Sequence, residues 1–317
     1  MSLRTVAEFV SGGINKVTDL QDSLQSAIEL EFSTIPPYLC AEWSIKDPAD
    51  PVARMMHSIV LQEMLHMGLA CNMLTAIGGN PSIAKPAFIP AYPTDGLPGN
   101  VHPHLRVDLA PLGPASLDIF MQIEWPERGP LAFAALDIFP TIGEFYDTIA
   151  AAFQALNPPI QSGKQVTANL DQDRLFAITS VADALKAIKE IRQQGEGTTS
   201  SPFAAEFNVD ELAHFYLFKE IATAHRLQQG GDGAWHFDGP AIPMPATYQF
   251  TDNENPTSDN FNIIFSDLLR LLEKAWTQDP KAISAAEGQM FGLQAAGVAL
   301  IQAGNRPGFR WTDTSHL

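Results

Sequence analysis

The chain has 317 residues, of which 45% are hydrophobic and 17% charged, enough apolar material for a sizeable core and too little charge for a disordered chain. Lys and Arg number 19 against 36 Asp and Glu, a net charge of -17 at pH 7 that argues against nucleic acid or an anionic membrane surface as partner. The two cysteines, Cys40 and Cys71, sit in apolar helical patterns and read as buried thiols of a reducing compartment. With no signal peptide and no apolar run long enough to span a bilayer, the cytoplasm is the expected location.

Helical periodicity runs over residues 18–46 and, after the KDPADP turn, over 52–77, where GGNP stops the helix. From 81 to 129 prolines recur and LRVDLA and LDIFMQIEW alternate, which predicts an insertion of loops and short strands. A short helix is expected over 141–156, then QSGKQVTANL as a hairpin or irregular loop. Helices follow over 182–196 and 209–228, a long Gly/Pro/Asp/Asn-rich loop over 230–260, and two closing helices near 261–276 and 280–303.

Within QEMLHMGLACNML, Glu63 and His66 stand three residues apart on one face of a very apolar helix. A carboxylate there must be paired, hydrogen-bonded or bound to a metal. ELAHFYLFKEI repeats the spacing with Glu211 and His214. The helix before each pair offers a further carboxylate, Glu31 in the first half and Glu190 or Glu196 in the second. Loop arithmetic favours Glu196, which like Glu211 lies next to the connecting turn, over Glu190; Glu144 is a weaker candidate for the same role. One Glu from each of two helices plus Glu-x-x-His from the other two is the ligand set of di-iron and di-manganese four-helix bundles. The expected metal ligands are therefore Glu31, Glu63, His66, Glu196, Glu211 and His214, holding two ions, iron or manganese.

Pro36 and Pro37 interrupt the first helix and should free the carbonyls near Phe32 and Ser33 and kink the chain just after Glu31. Tyr38 then returns to nearly the face of Glu31, either as a catalytic phenol beside the metals or as a core tyrosine with a satisfied hydroxyl. His102, His104, His225, Glu42 and His57 have no stronger claim than solvated positions. There is no phosphate-binding glycine loop, nucleophile elbow or Cys-x-x-Cys pair.

LEFSTIPPYLCAEWSI, EMLHMGLACNMLTAIGGNP, TIGEFY, QGEGTTSSP and ELAHFYLFKEI together resemble the ferritin-like domain of the iminophenyl-pyruvate dimer synthase family of violacein- and rebeccamycin-type pigment biosynthesis. The resemblance runs from about residue 20 to 303, although the pathway synthases are far longer chains. It implies a mainly α, ferritin-like four-helix bundle carrying loop and short-strand insertions and additional C-terminal helices, with iron and an oxidative coupling of aromatic imino acids. The expectation is one domain, a di-metal oxidoreductase with a small amino- or imino-acid-derived substrate, homo-oligomerisation being left open. Trp125, Trp235, His236, Phe237 and Tyr248 would line its pocket. An iron-storing ferroxidase is the alternative, disfavoured by the long insertions, and a non-catalytic metal-binding protein is a further one.

Overall fold

The computed structural model describes residues 4–126, 141–198, 201–204, 211–251 and 257–313. After the short α1 (Val6–Gly12), the chain forms two long helices, α2 (Val17–Ser44) and α3 (Pro51–Ala76), packed along their length. The turn between them is chemically specified. Asp50 caps α3 by accepting from the Val52 N–H at 2.8 Å, and Pro51 fills the first helical position. At the other end Gly78 takes a positive φ of 81°, and the Gly78 and Gly79 N–H groups donate back to Thr75 and Leu74.

A two-stranded ribbon follows, β1 (Thr94–Leu97) with β2 (Val101–Val107), then α4 (Pro114–Ile123) and α5 (Ile142–Leu156). The hairpin β3 (Ala168–Leu170) with β4 (Asp173–Leu175) leads to α6 (Val181–Glu196) and α7 (His214–Thr223). The small β5 (Gln228–Gln229) and β6 (Trp235–His236) precede α8 (Thr257–Thr277) and α9 (Ala282–Gln302), an antiparallel pair. Helices α2, α3, α6 and α5 contact one another in a closed ring, which is the bundle. α4 packs on α7, α7 also reaches α3 and α6, and α9 lies on α2.

Two expectations need correction. The LDIFMQIEW stretch is helical: Pro114 starts α4, and Leu117, Phe120 and Ile123 bury one face at helical spacing. Its apolar residues fit a strand and a helix equally over so few positions, and packing on α7 decides. Of the helix expected over 209–228, residues 209 and 210 lie outside the described residues, and the described part is helical only over His214–Thr223, ending where Ala224 turns left-handed at φ 59°. The ring is closed instead by α5. As expected from the periodicity, α2 is helical through Pro36 and Pro37. One freed carbonyl is satisfied from outside, since the Tyr92 hydroxyl donates to the Ser33 oxygen at 2.7 Å.

The seating of α9 on α2 depends on Gly297, where a Cβ would come within 2.2 Å of the Trp43 ring. Gly297→Ala is expected to lower stability by about 1–3 kcal/mol through this overpacking. Urea unfolding would check it, and an unchanged midpoint would show that Trp43 can move aside.

Candidate metal centre

Helix α2 delivers Glu31 and α3 delivers Glu63 and His66, all at most 5% exposed. Their potential ligand atoms lie within 4.8 Å of one another. A second group of the same tightness contains Glu63 again, with Glu124 and His214. Glu63 is therefore shared. His66 Nδ1 lies 3.6 Å from Glu31 and 3.7 Å from Glu63, while His214 Nδ1 lies 2.9 Å from Glu63 and 3.8 Å from Glu124. The two imidazoles stack with ring centroids 5.5 Å apart.

Each half has the same supporting cast. Tyr146 donates its hydroxyl to Glu31 at 2.5 Å, and Tyr38 donates to Glu124 at 2.8 Å. Burial, together with the adjacent carboxylates, holds both phenols well above the ordinary tyrosine range, so they remain donors. The Thr34 hydroxyl donates to the second oxygen of Glu63 at 2.6 Å. Gln194 Oε1 lies 2.8 Å from His66 Nε2, and Gln62 Oε1 lies 2.8 Å from His214 Nε2. The amide nitrogens of both glutamines donate to Asp173, at 3.1 Å and 3.0 Å, on its two separate oxygens.

That last pair of contacts settles the imidazole protons. An ionised carboxylate only accepts, so each glutamine must turn its NH₂ to Asp173 and its carbonyl to a histidine. Each Nε2 must then donate. What remains on each ring is Nδ1, facing carboxylates. His214 Nδ1 is buried with no aligned hydrogen-bond partner, although a Glu63 oxygen is close. Burial would lower the His214 pKa, but the carboxylates of Glu124 and Glu63 outweigh it and push it up to about 10. The His66 pKa is raised in the same way by Glu31 and Glu63 against its burial. Burial raises the Glu63 carboxyl, whereas at Glu124 the contacts from His214 and Tyr38 overcome burial and lower it. The cluster requires positive charge at both Nδ1 positions. A proton or a metal cation can supply it, and the mixed carboxylate and imidazole donors suit a transition metal.

Of the residues expected from sequence, Glu31, Glu63, His66 and His214 are brought together. Glu196 and Glu211 are not in either group. α7 begins at His214, leaving Glu211 upstream of the helix, where Ser58 donates to it at 3.0 Å. Glu196, at the end of α6, lines the same small cavity as Glu31 and His66, and its carboxylate lies against the bare Cα of Gly143. Glu144 is engaged with Thr141 in the cap of α5. Glu190 is buried at 5% exposure, and desolvation pushes its carboxyl up to about 7.

The residue that sequence reasoning missed is Glu124, at the C-cap of α4. Its signal was a lone acid directly after an apolar run, obscured once that run was read as a strand. None of the aromatic residues expected to form a pocket lines the cavity beside the cluster. Trp125 packs on Phe215 and Trp235 on Phe203, and Tyr248 receives the Lys46 ammonium. The cavity against the cluster holds only about 30 Å³.

A family model described as ferritin-like matches residues 24–223, which include Glu31, Glu63, His66, Glu124 and His214. The chain belongs to the ferritin-like family. A ferritin-like protein from Caulobacter vibrioides, with a crystal structure at 1.95 Å, has 23% sequence identity and a TM-score of 0.71. The match covers 95% of this chain and 100% of that one, so the shared fold extends through the C-terminal helices of this ferritin-like protein. No curated protein matches it significantly. No helix among its described residues is long and apolar enough to cross a membrane.

Glu190 yields a pH prediction for metal-free protein. Its folded pKa, about 7, lies above the ordinary glutamate value, so the folded form holds a proton that the unfolded chain has released. Glu190 is then favourable below the unfolded pKa, and the stability is lost as pH rises toward 7. Glu190→Gln should gain on the order of 2 kcal/mol over wild type at pH 8 and little at pH 4.5. Chelator-treated samples unfolded thermally at both pH values would check this; parallel pH profiles would contradict it.

Proposed function

We propose that this ferritin-like protein is a di-metal oxidoreductase, with iron as the expected metal and manganese as the substitute. The observation that carries the reading is the pair of imidazoles held by Asp173 with Nδ1 turned into three buried carboxylates. Glu31, Glu63 and His66 would hold one ion, and Glu63, Glu124 and His214 the other. Bound iron would supply one-electron redox chemistry toward dioxygen.

The protein's own groups have definable parts in that chemistry. Asp173, Gln62 and Gln194 orient the two histidines, the usual work of the groups behind metal-bound imidazoles. Tyr38 and Tyr146 hold protons at Oη and donate them in hydrogen bonds to Glu124 and Glu31, which orients those carboxylates. The cavity of about 30 Å³ has room for a molecule the size of water or dioxygen. Glu196, on its wall, is the carboxylate we assign to cation entry.

The substrate assignment, an amino- or imino-acid-derived small molecule as in iminophenyl-pyruvate dimer synthase, rests on the sequence resemblance alone. An aromatic molecule does not fit the cavity beside the cluster. A ferroxidase that stores iron is the second reading, favoured by that small cavity. Oxygen uptake separates the two. An enzyme consumes oxygen with an organic substrate at constant metal content, whereas a store consumes it with each added Fe(II) and retains the product. We expect the first, and many irons per chain without any organic response would establish the second.

Elemental analysis after Fe(II) reconstitution should find up to two ions per chain. Glu124→Ala should remove about half of them. Glu211→Ala should leave the content unchanged in folded protein, and the reverse pattern would restore the Glu-x-x-His pair as ligands. Asp173→Asn can still accept from one glutamine but turns the other around, so it should weaken one ion by about 10–100-fold while the second persists. Equal affinity at both sites would show that Asp173 does not orient the rings.

A further inference from the structure

Helices α2 and α3 each bury a second face that the metal cluster does not use. On α2, Phe32, Pro36 and Leu39 point away from Glu31 and Thr34, and on α3, Val60, Met64 and Met67 point away from Glu63 and His66. Opposite them lie α8 and α9, and the β3–β4 hairpin closes one side. Between these layers is a cavity of about 470 Å³, within the range of small-molecule sites and far larger than the space beside the cluster. Its walls are core residues, including Phe265 at 3% exposure and Phe309 at 1%, so it is an interior space with an opening. Phe291, 73% exposed and the most exposed large apolar side chain described, stands at the lip.

The polar residues of the lining select the ligand. Glu42, Asp171 and Glu287 contribute three carboxylates, and among the described residues of the lining there is no lysine or arginine. The one basic group, His57, is already paired with Glu42 at 2.8 Å. An apolar interior edged by acceptors and negative charge favours an apolar body carrying a positive, donating end, and it repels a carboxylate. Trp43 and Trp276 add aromatic faces that attract a cation.

We propose that this cavity binds a small organic amine with a hydrocarbon or aromatic body, at a site separate from the metal cluster and independent of it. Trp43 and Trp276 line the cavity, so intrinsic fluorescence reports occupancy. The test titrates dodecylamine and dodecanoate, each below its micellar concentration, into full-length protein with and without iron. The expected result is one dodecylamine per chain, bound at least tenfold more tightly than dodecanoate and equally well in both metal states. Met290→Trp or Gln294→Trp, which fill the cavity from α9, should weaken the amine at least tenfold, the second from an exposed position that spares the fold. Glu42→Gln with Asp171→Asn should erase the preference over dodecanoate. The proposal is overturned if neither probe binds, if dodecanoate binds as well as the amine, or if both filling variants bind normally. It is also overturned if sedimentation shows a dimer that Phe291→Ser dissociates, because a second copy would then cover the opening.

Discussion

One buried carboxylate, Glu63, organises this molecule. It is 2% exposed at the middle of a helix whose other residues are largely apolar, and an isolated charge there would be prohibitively costly. Its compensation comes from three directions: the Thr34 hydroxyl on α2, His66 one turn along its own helix, and His214 from the start of α7. These contacts fix how α2 lies against α3 and where α7 must end its approach. The arrangement is conditional, because the histidines satisfy Glu63 only while positive charge sits on Nδ1. The same need that costs stability in an empty cluster creates affinity for a cation.

Around Glu63 the two halves of the centre match in chemistry while differing in local structure. Glu31 lies mid-helix, whereas Glu124 is a C-cap; His66 lies mid-helix, whereas His214 opens one. Nevertheless each histidine meets a glutamine and each outer glutamate a tyrosine, and both glutamines converge on Asp173 in a hairpin. Equivalence is thus enforced by hydrogen-bond valence. Asp173 can accept from two amides at once, which gives both imidazoles the same tautomer through a single residue.

Helices α2 and α3 border two cavities because each is buried on nearly every side. Their inner faces hold the ionisable cluster, with room for little more than a water molecule, and their outer faces form one wall of a large apolar cavity under α8 and α9. Buried length in these helices is therefore not surplus core. The proline pair contributes to both: Tyr38 after it reaches Glu124, while Pro36 lines the outer cavity.

Much of this was readable from the chain alone. The long helices, the KDPADP and GGNP turns that bound them, and the unusual placement of Glu31, Glu63, His66 and His214 follow from periodicity, turn chemistry and the cost of placing ionisable groups among apolar neighbours. Those are local properties, and local sequence carries them. Glu124, Asp173 and the glutamine bridges were not legible. Their roles arise largely from contacts between distant parts of the chain, 86 residues apart for Tyr38 and Glu124, 128 for His66 and Gln194 and 152 for Gln62 and His214, and no spacing rule connects such positions. The sequence determined that an unusual set of charges would be buried. Only tertiary packing decided that Glu124 completes the set, because α4 docks on α7 while Glu211 falls just outside the helix that would have aimed it inward.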